Sequence, residues 1–142
     1  MLKKFGPGFA IAMLVASAAT AEVFEVHMAN KGAVGMMVFE PDFLRVKVGD
    51  TIKFIAQDRG HNAESIEGML PDGAKPFSGK INEEIEVTFD IPGFYGVRCK
   101  PHYAMGMAAA IAVGDVIMPD EFLAGRLPKK VKERLKIIIS NQ

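Results

Sequence analysis

The sequence predicts an all-β sandwich of about seven or eight short strands with an α-helical extension at its C-terminal end. Three observations carry this. Apolar and polar residues alternate with period two in short runs from Phe24 to Val113, and Gly, Pro, Asn and Asp punctuate those runs. After Pro128 the apolar spacing becomes that of a helix. At 142 residues the chain is long enough for one domain with a real core and too short for two.

Taken in order, Phe24, Val26 and Met28 alternate with Glu25, His27 and Ala29, which suits a strand with one face on a core and leaves His27 facing outward. Asn30 to Ala33 is a turn signal, and Met36–Phe39 is a brief apolar segment stopped by Glu40-Pro41-Asp42. Leu44, Val46 and Val48 alternate with Arg45 and Lys47. Gly49-Asp50 turns the chain, and Ile52 and Phe54 resume the pattern, so this stretch reads as a hairpin-like unit. Residues 56–83 are polar and carry Gly60, Gly68, Pro71, Gly73, Pro76 and Gly79, the marks of a long connection with little regular structure. Ile85, Val87 and Phe89 alternate again before Ile91-Pro92-Gly93. Tyr95, Val97 and Cys99 then share one parity, which points Cys99 inward and Arg98 and Lys100 outward. Met107, Ala109, Ile111 and Val113 form the last strand. Beyond it, residues 119–140 read as helices: a short one within Asp120–Gly125, then an amphipathic one on Leu127, Val131, Leu135, Ile138 and Ile139 that covers an open part of the sandwich.

Between the last two strands lies Cys99-Lys100-Pro101-His102-Tyr103-Ala104-Met105-Gly106-Met107. A thiol, an imidazole and two thioethers in nine residues make a metal-ligand loop. Thiolate and thioether are soft donors that favour copper in its lower oxidation state, imidazole suits both states, and two His, one Cys and a weak axial Met describe an electron-transfer copper site. The loop supplies the Cys and one His, with Met105 and Met107 both available as thioether. The second His comes from elsewhere, and His61 is better placed than His27. Zinc prefers closed sites of Cys, His and carboxylate and gains little from a thioether.

Composition narrows the function. Lys and Arg total 17, as do Asp and Glu, so no general basic face for nucleic acid is implied. Lys3 and Lys4 precede a mostly apolar run from Phe5 to Ala19, and Ala19-Thr20-Ala21 has the small residues of a cleavage site. Residues 1–21 therefore read as a cleaved signal peptide and 22–142 as the single mature domain, with its β-sandwich in 22–114. The implied location is the periplasm, with no membrane span after cleavage. One cysteine in an oxidising compartment cannot form an internal disulfide, so Cys99 needs burial or a metal.

Val46–Phe54, His61-Asn62, Gly93-Phe94-Tyr95 and Cys99-x-Pro-His102-x-x-x-x-Met107 together resemble the cupredoxins, the small blue-copper proteins. The ligand spacing is similar to that of the plastocyanins and the pseudoazurins alike, while Lys31-Gly32-Ala33, the run from His102 to Met107 and the C-terminal extension are similar to the pseudoazurin group. The resemblance implies a Greek-key sandwich holding one type 1 copper through His61, Cys99, His102 and Met107, and leaves Met105 as filler. It makes Asn62 the asparagine that ties the two ligand loops together. Lys100 departs from the family, which more often has Ser or Thr after the Cys.

The function implied is that of a monomeric one-electron carrier, not an enzyme, since no paired carboxylates or Ser/His/Asp set is evident. Its partners would be redox proteins docking transiently: a nitrite reductase or other denitrification enzyme as acceptor, a cytochrome as donor. Arg59, Arg98 and Lys100, with Lys31, Lys75 and Lys80, would form a basic rim around an apolar patch of Pro101, Ala104, Met105 and Met37. The alternative is an exported carrier that delivers copper rather than electrons, a reading suggested by nine methionines.

Overall fold

The computed structural model describes residues 13, 14, 16 and 18–142. Most of the segment read as a signal peptide lies outside them. Among the described residues eight strands form two four-stranded sheets. Strands β1 (Val23–Gly32), β2 (Gly35–Glu40), β4 (Thr51–Ala56) and β6 (Ile85–Thr88) make one sheet in the order β2-β1-β4-β6. Strands β3 (Phe43–Val46), β5 (Glu64–Ser65), β7 (Gly93–Arg98) and β8 (Ala108–Val113) make the other, in the order β3-β8-β7-β5. A helix, α1 (Lys129–Ser140), follows behind Pro128, and Asp120–Leu123 is a single 3₁₀ segment. Among the described residues no helix is long and apolar enough to cross a membrane.

The stretch around Gly49-Asp50 is not a hairpin. β3 pairs in parallel with β8, whereas β4 pairs in parallel with β1 and antiparallel with β6. The turn instead carries the chain from one sheet to the other. Its corner is held by the Asp50 carboxylate, which accepts the Lys47 backbone N–H at 2.7 Å and the Glu22 N–H at 2.8 Å. Alternation alone records that two strands exist and which face each buries. It carries no information about which neighbour each will pair with.

The two faces of β8 explain why the tail is there. Met107, Ala109, Ile111 and Val113 point into the sandwich beside Val26, Phe54, Phe89, Tyr95 and Val97. Ala108, Ala110 and Ala112 point the other way and are equally buried, against Val131, Leu135 and Ile138 of α1 and Phe122. Three alanines make a flat surface, so a helix can lie close to it. This face would otherwise be exposed apolar sheet, and α1 covers it as the periodicity predicts. The long connection is mostly turns, with β5 as its one strand among the described residues. β5 matters more than its length: it lies against β7 with Glu64 opposite Arg98.

Candidate metal centre

The ligand loop is a closed hairpin end. The Cys99 N–H donates to the Met107 carbonyl at 3.1 Å and the Met107 N–H to the His102 carbonyl at 3.2 Å. Between them Lys100–Met105 forms 3₁₀ turns opened by Pro101 and ended by Gly106, whose φ of 96° favours a residue without Cβ. Cys99 and Met107 are both fully buried, at the ends of the strand faces that line the core. His102 is only partly buried and is flanked by the exposed Pro101, Ala104 and Met105.

His61 reaches this loop from the other sheet's side of the sandwich. Its carbonyl accepts the Asn82 N–H at 2.8 Å, and its Nε2 donates to Asn30 Oδ1 at 2.8 Å. An amide oxygen only accepts, so Nε2 holds the proton and the Nδ1 lone pair faces inward. There it lies 3.1 Å from His102 Nδ1 and 3.6 Å from Cys99 Sγ, and His102 Nδ1 is 3.5 Å from the same sulfur. Among the described residues these three make the one cluster of His, Cys and carboxylate groups able to hold an ion. First-row metal bonds of about 2.0–2.3 Å set three trigonal donors roughly 3.6 Å apart, close to the spacing seen. Two imidazoles and a sulfur, with the buried Met107 at the far end of the loop, fit a copper ion in chemistry as well as size.

The electrostatics suit a site for a cation. Burial holds His61 below its ordinary value, helped by the neighbouring His102 and opposed by Asp58, so His61 stays neutral and able to coordinate. Burial also pushes the Cys99 thiol up, and the Glu64 charge adds to this. The Asn62 and His102 N–H groups pull the other way. A metal must therefore displace the thiol proton to bind.

Of the residues predicted from sequence, His61, Cys99 and His102 converge, and Met107 closes the same loop from within the core. Met105 is about half exposed, at 48%. His27 stands apart on the outer face of β1, its Nε2 3.5 Å from a Glu25 carboxylate oxygen. Asn62 ties the two ligand segments as expected: its Oδ1 accepts the Lys100 backbone N–H at 2.7 Å. That bond uses the main chain and does not need the hydroxyl that Lys100 lacks. Arg98 departs from the rim assignment, because its guanidinium is committed to Glu64 at 2.7 Å. Two contributors were not foreseen. Asn30 looked like an ordinary turn residue, and nothing local in the sequence marks it. Glu64 did carry a signal: Asn62 and Glu64, two apart, lie on one face of an extended segment.

The family described as copper binding proteins, plastocyanin/azurin family, matches residues 26–114. Pseudoazurin of Paracoccus pantotrophus is 47% identical over 131 residues, which span 89% of this chain and 89% of that one. The crystal structure of pseudoazurin from Methylobacterium extorquens AM1 superposes with a TM-score of 0.78 at 42% identity, over 84% of this chain and 98% of that one. Native pseudoazurin from Hyphomicrobium denitrificans gives 0.79 at 36% identity, over the same shares. With the fold, the donor cluster and these likenesses in agreement, the chain belongs to the plastocyanin/azurin family of copper-binding proteins and within it is similar to the pseudoazurins.

Proposed function

We propose that this chain is an exported one-electron carrier that holds one copper through His61, Cys99, His102 and Met107 and passes electrons from a cytochrome to a nitrite reductase or another denitrification enzyme. The observation that carries the reading is a donor cluster with three buried members and one edge towards solvent. His61, Cys99 and Met107 are each at 0% exposure, while His102 is partly open. Copper bound there supplies a Cu(II)/Cu(I) couple.

The chain does the rest. Asn30 holds the His61 ring through Nε2, and Asn62 holds the Cys99 segment through Lys100, so the donors have little freedom to move when charge changes. The surrounding core excludes water from Cys99 and Met107. The His102 ring, partly open and set among exposed Pro101, Ala104 and Met105, offers a route outward. This surface suits docking that buries less than about 1,200 Å², as in weak redox encounters. Arg59, Lys31, Lys75, Lys80 and Lys100 are all exposed and can steer an acidic partner. His61, Cys99, His102 and Met107 would all be given over to holding the copper, which suits a carrier rather than an enzyme. Export follows from the leader-like residues 1–21, with the mature monomer starting at Glu22.

Anaerobic stopped-flow mixing of the reduced, copper-loaded protein with a copper nitrite reductase tests the partner. Oxidation should speed up with enzyme concentration and slow as salt rises from 50 to 500 mM, on the order of the Debye screening change. Oxidation no faster than in buffer would overturn the assignment. Intact mass of the exported protein should begin at Glu22, and a retained leader would contradict the location.

A further inference from the structure

Glu64 is a carboxylate that the donor cluster does not touch, yet it is buried to 7% exposure three residues beyond His61. A buried charge is costly unless each lone pair finds a donor. Here each oxygen is served. Oε1 accepts Nε and Nη2 of Arg98, both at 2.7 Å, and Oε2 accepts Asn62 Nδ2 and Ser78 Oγ, both at 3.1 Å. Burial raises the Glu64 carboxyl, but these bonds together with the Arg98 charge hold it below its ordinary value, so it remains ionised.

The consequence falls on Asn62. A side-chain amide fits its pocket in two orientations related by a half turn, and only its partners choose between them. A carboxylate accepts and never donates, so Nδ2 must face Glu64. Its other hydrogen goes to the Gly79 carbonyl at 3.0 Å, and Oδ1 is left facing the Lys100 N–H. The flipped amide would set oxygen against carboxylate and NH₂ against N–H. The Lys100 side chain is exposed, so its residue offers Asn62 the main chain alone. Arg98 meanwhile stacks over the Tyr103 ring at 4.9 Å, beside His102. One carboxylate thus touches groups from both ligand segments.

We infer that Glu64, braced by Arg98, is a positioning residue that fixes the Asn62 amide orientation and through it the placement of the Cys99 segment against the His61 segment. The redox consequence rests on the electron-carrier reading. The geometric one does not, and the test separates them.

Hydrogen exchange of the Lys100 amide in the copper-free protein reports the Asn62 bond directly. Glu64→Gln should speed that exchange by about tenfold, and Asn62→Ala by at least as much. In the double variant Glu64→Gln should add nothing, because its effect passes through Asn62. In the copper-loaded protein Glu64→Gln should shift both the visible band and the reduction potential, and the band shift should vanish in the Asn62→Ala background. Exchange within twofold of the parent, or an equal band shift in both backgrounds, would reduce Glu64 to a brace or a bare charge and overturn the inference. Should Glu64→Gln not fold, Arg98→Gln keeps the Asn62 contact and should speed exchange about threefold, while an unchanged rate would overturn the proposal. If the parent binds copper without a charge-transfer band, the carrier reading falls and the exchange result still stands.

Discussion

Gly106→Ala tests the contact through which the C-terminal helix braces the ligand loop. At φ 96° and ψ 14° the residue is in left-handed territory. An added methyl would lie 3.2 Å from the Lys130 carbonyl oxygen, 3.3 Å from its Cβ and 3.4 Å from its carbonyl carbon. Two costs add. The left-handed backbone costs alanine about 1–2 kcal/mol. Forcing apart a loop and a helix backbone that cannot swing aside costs about 1–2 kcal/mol more. The expected loss is about 2–4 kcal/mol. Two further glycines separate the terms. Gly49 has φ 93° with nothing within 4 Å of its added Cβ, so Gly49→Ala should lose only the conformational part, about 1–2 kcal/mol. Gly125 has neither feature, and Gly125→Ala should stay within about 0.5 kcal/mol. Alanine also restricts the unfolded chain similarly at all three sites, so the comparison cancels that effect. Equilibrium urea unfolding of the copper-free proteins, at unchanged m, gives the three numbers. If Gly106→Ala costs no more than Gly49→Ala, α1 does not brace the loop and the steric argument is wrong.

Other perturbations probe other parts. Met107→Ala empties a fully buried site and should cost about 2–5 kcal/mol while moving the copper band, whereas Met105→Ala should stay within about 0.5 kcal/mol and leave the band in place. Spectra and unfolding of the pair check both halves, and a band lost in the Met105 variant would transfer the axial role to it. The Asp50 carboxyl is held below its ordinary value by the Glu22 N–H and, after a burial cost, by the Lys47 N–H and charge. Its stabilising effect is therefore complete above the unfolded-state value of about 3.9 and fades as pH falls through the lower folded value. Asp50→Asn should be less stable than the parent by a constant margin above about pH 5, with the margin shrinking below about pH 4. A margin that ignores pH would remove the charge from the account. Leu135→Ala, on the helix face over the three alanines, should cost about 2–5 kcal/mol in thermal or urea unfolding. A loss below about 1 kcal/mol would mean the helix merely lies on the sheet.

Much of this molecule can be read from its residues because period and softness are local properties. The parity that turns Cys99 inward with Tyr95 and Val97 holds in three dimensions, and all three are buried. Nine residues of loop carry thiolate, imidazole and thioether, and few metals want that set. Strand partnership is different. Leu44–Val48 and Ile52–Phe54 look like a hairpin, yet the Asp50 corner sends them to separate sheets, since pairing depends on distant strands. The same holds for side-chain partners across the sandwich. Arg98 reads as a rim charge until β5 sets Glu64 opposite it, and Asn30 reads as a turn until the fold lays it against His61.

The most direct test of the central claim is titration of the purified mature protein with Cu(II), followed in the visible range. An intense charge-transfer band should grow to saturation at one copper per chain, bleach and return through cycles of a one-electron reductant, and be absent in Cys99→Ser. Weak absorption that survives Cys99→Ser, or copper surrendered to a weak chelator at each reduction, would contradict a thiolate-bound electron-transfer copper at this site.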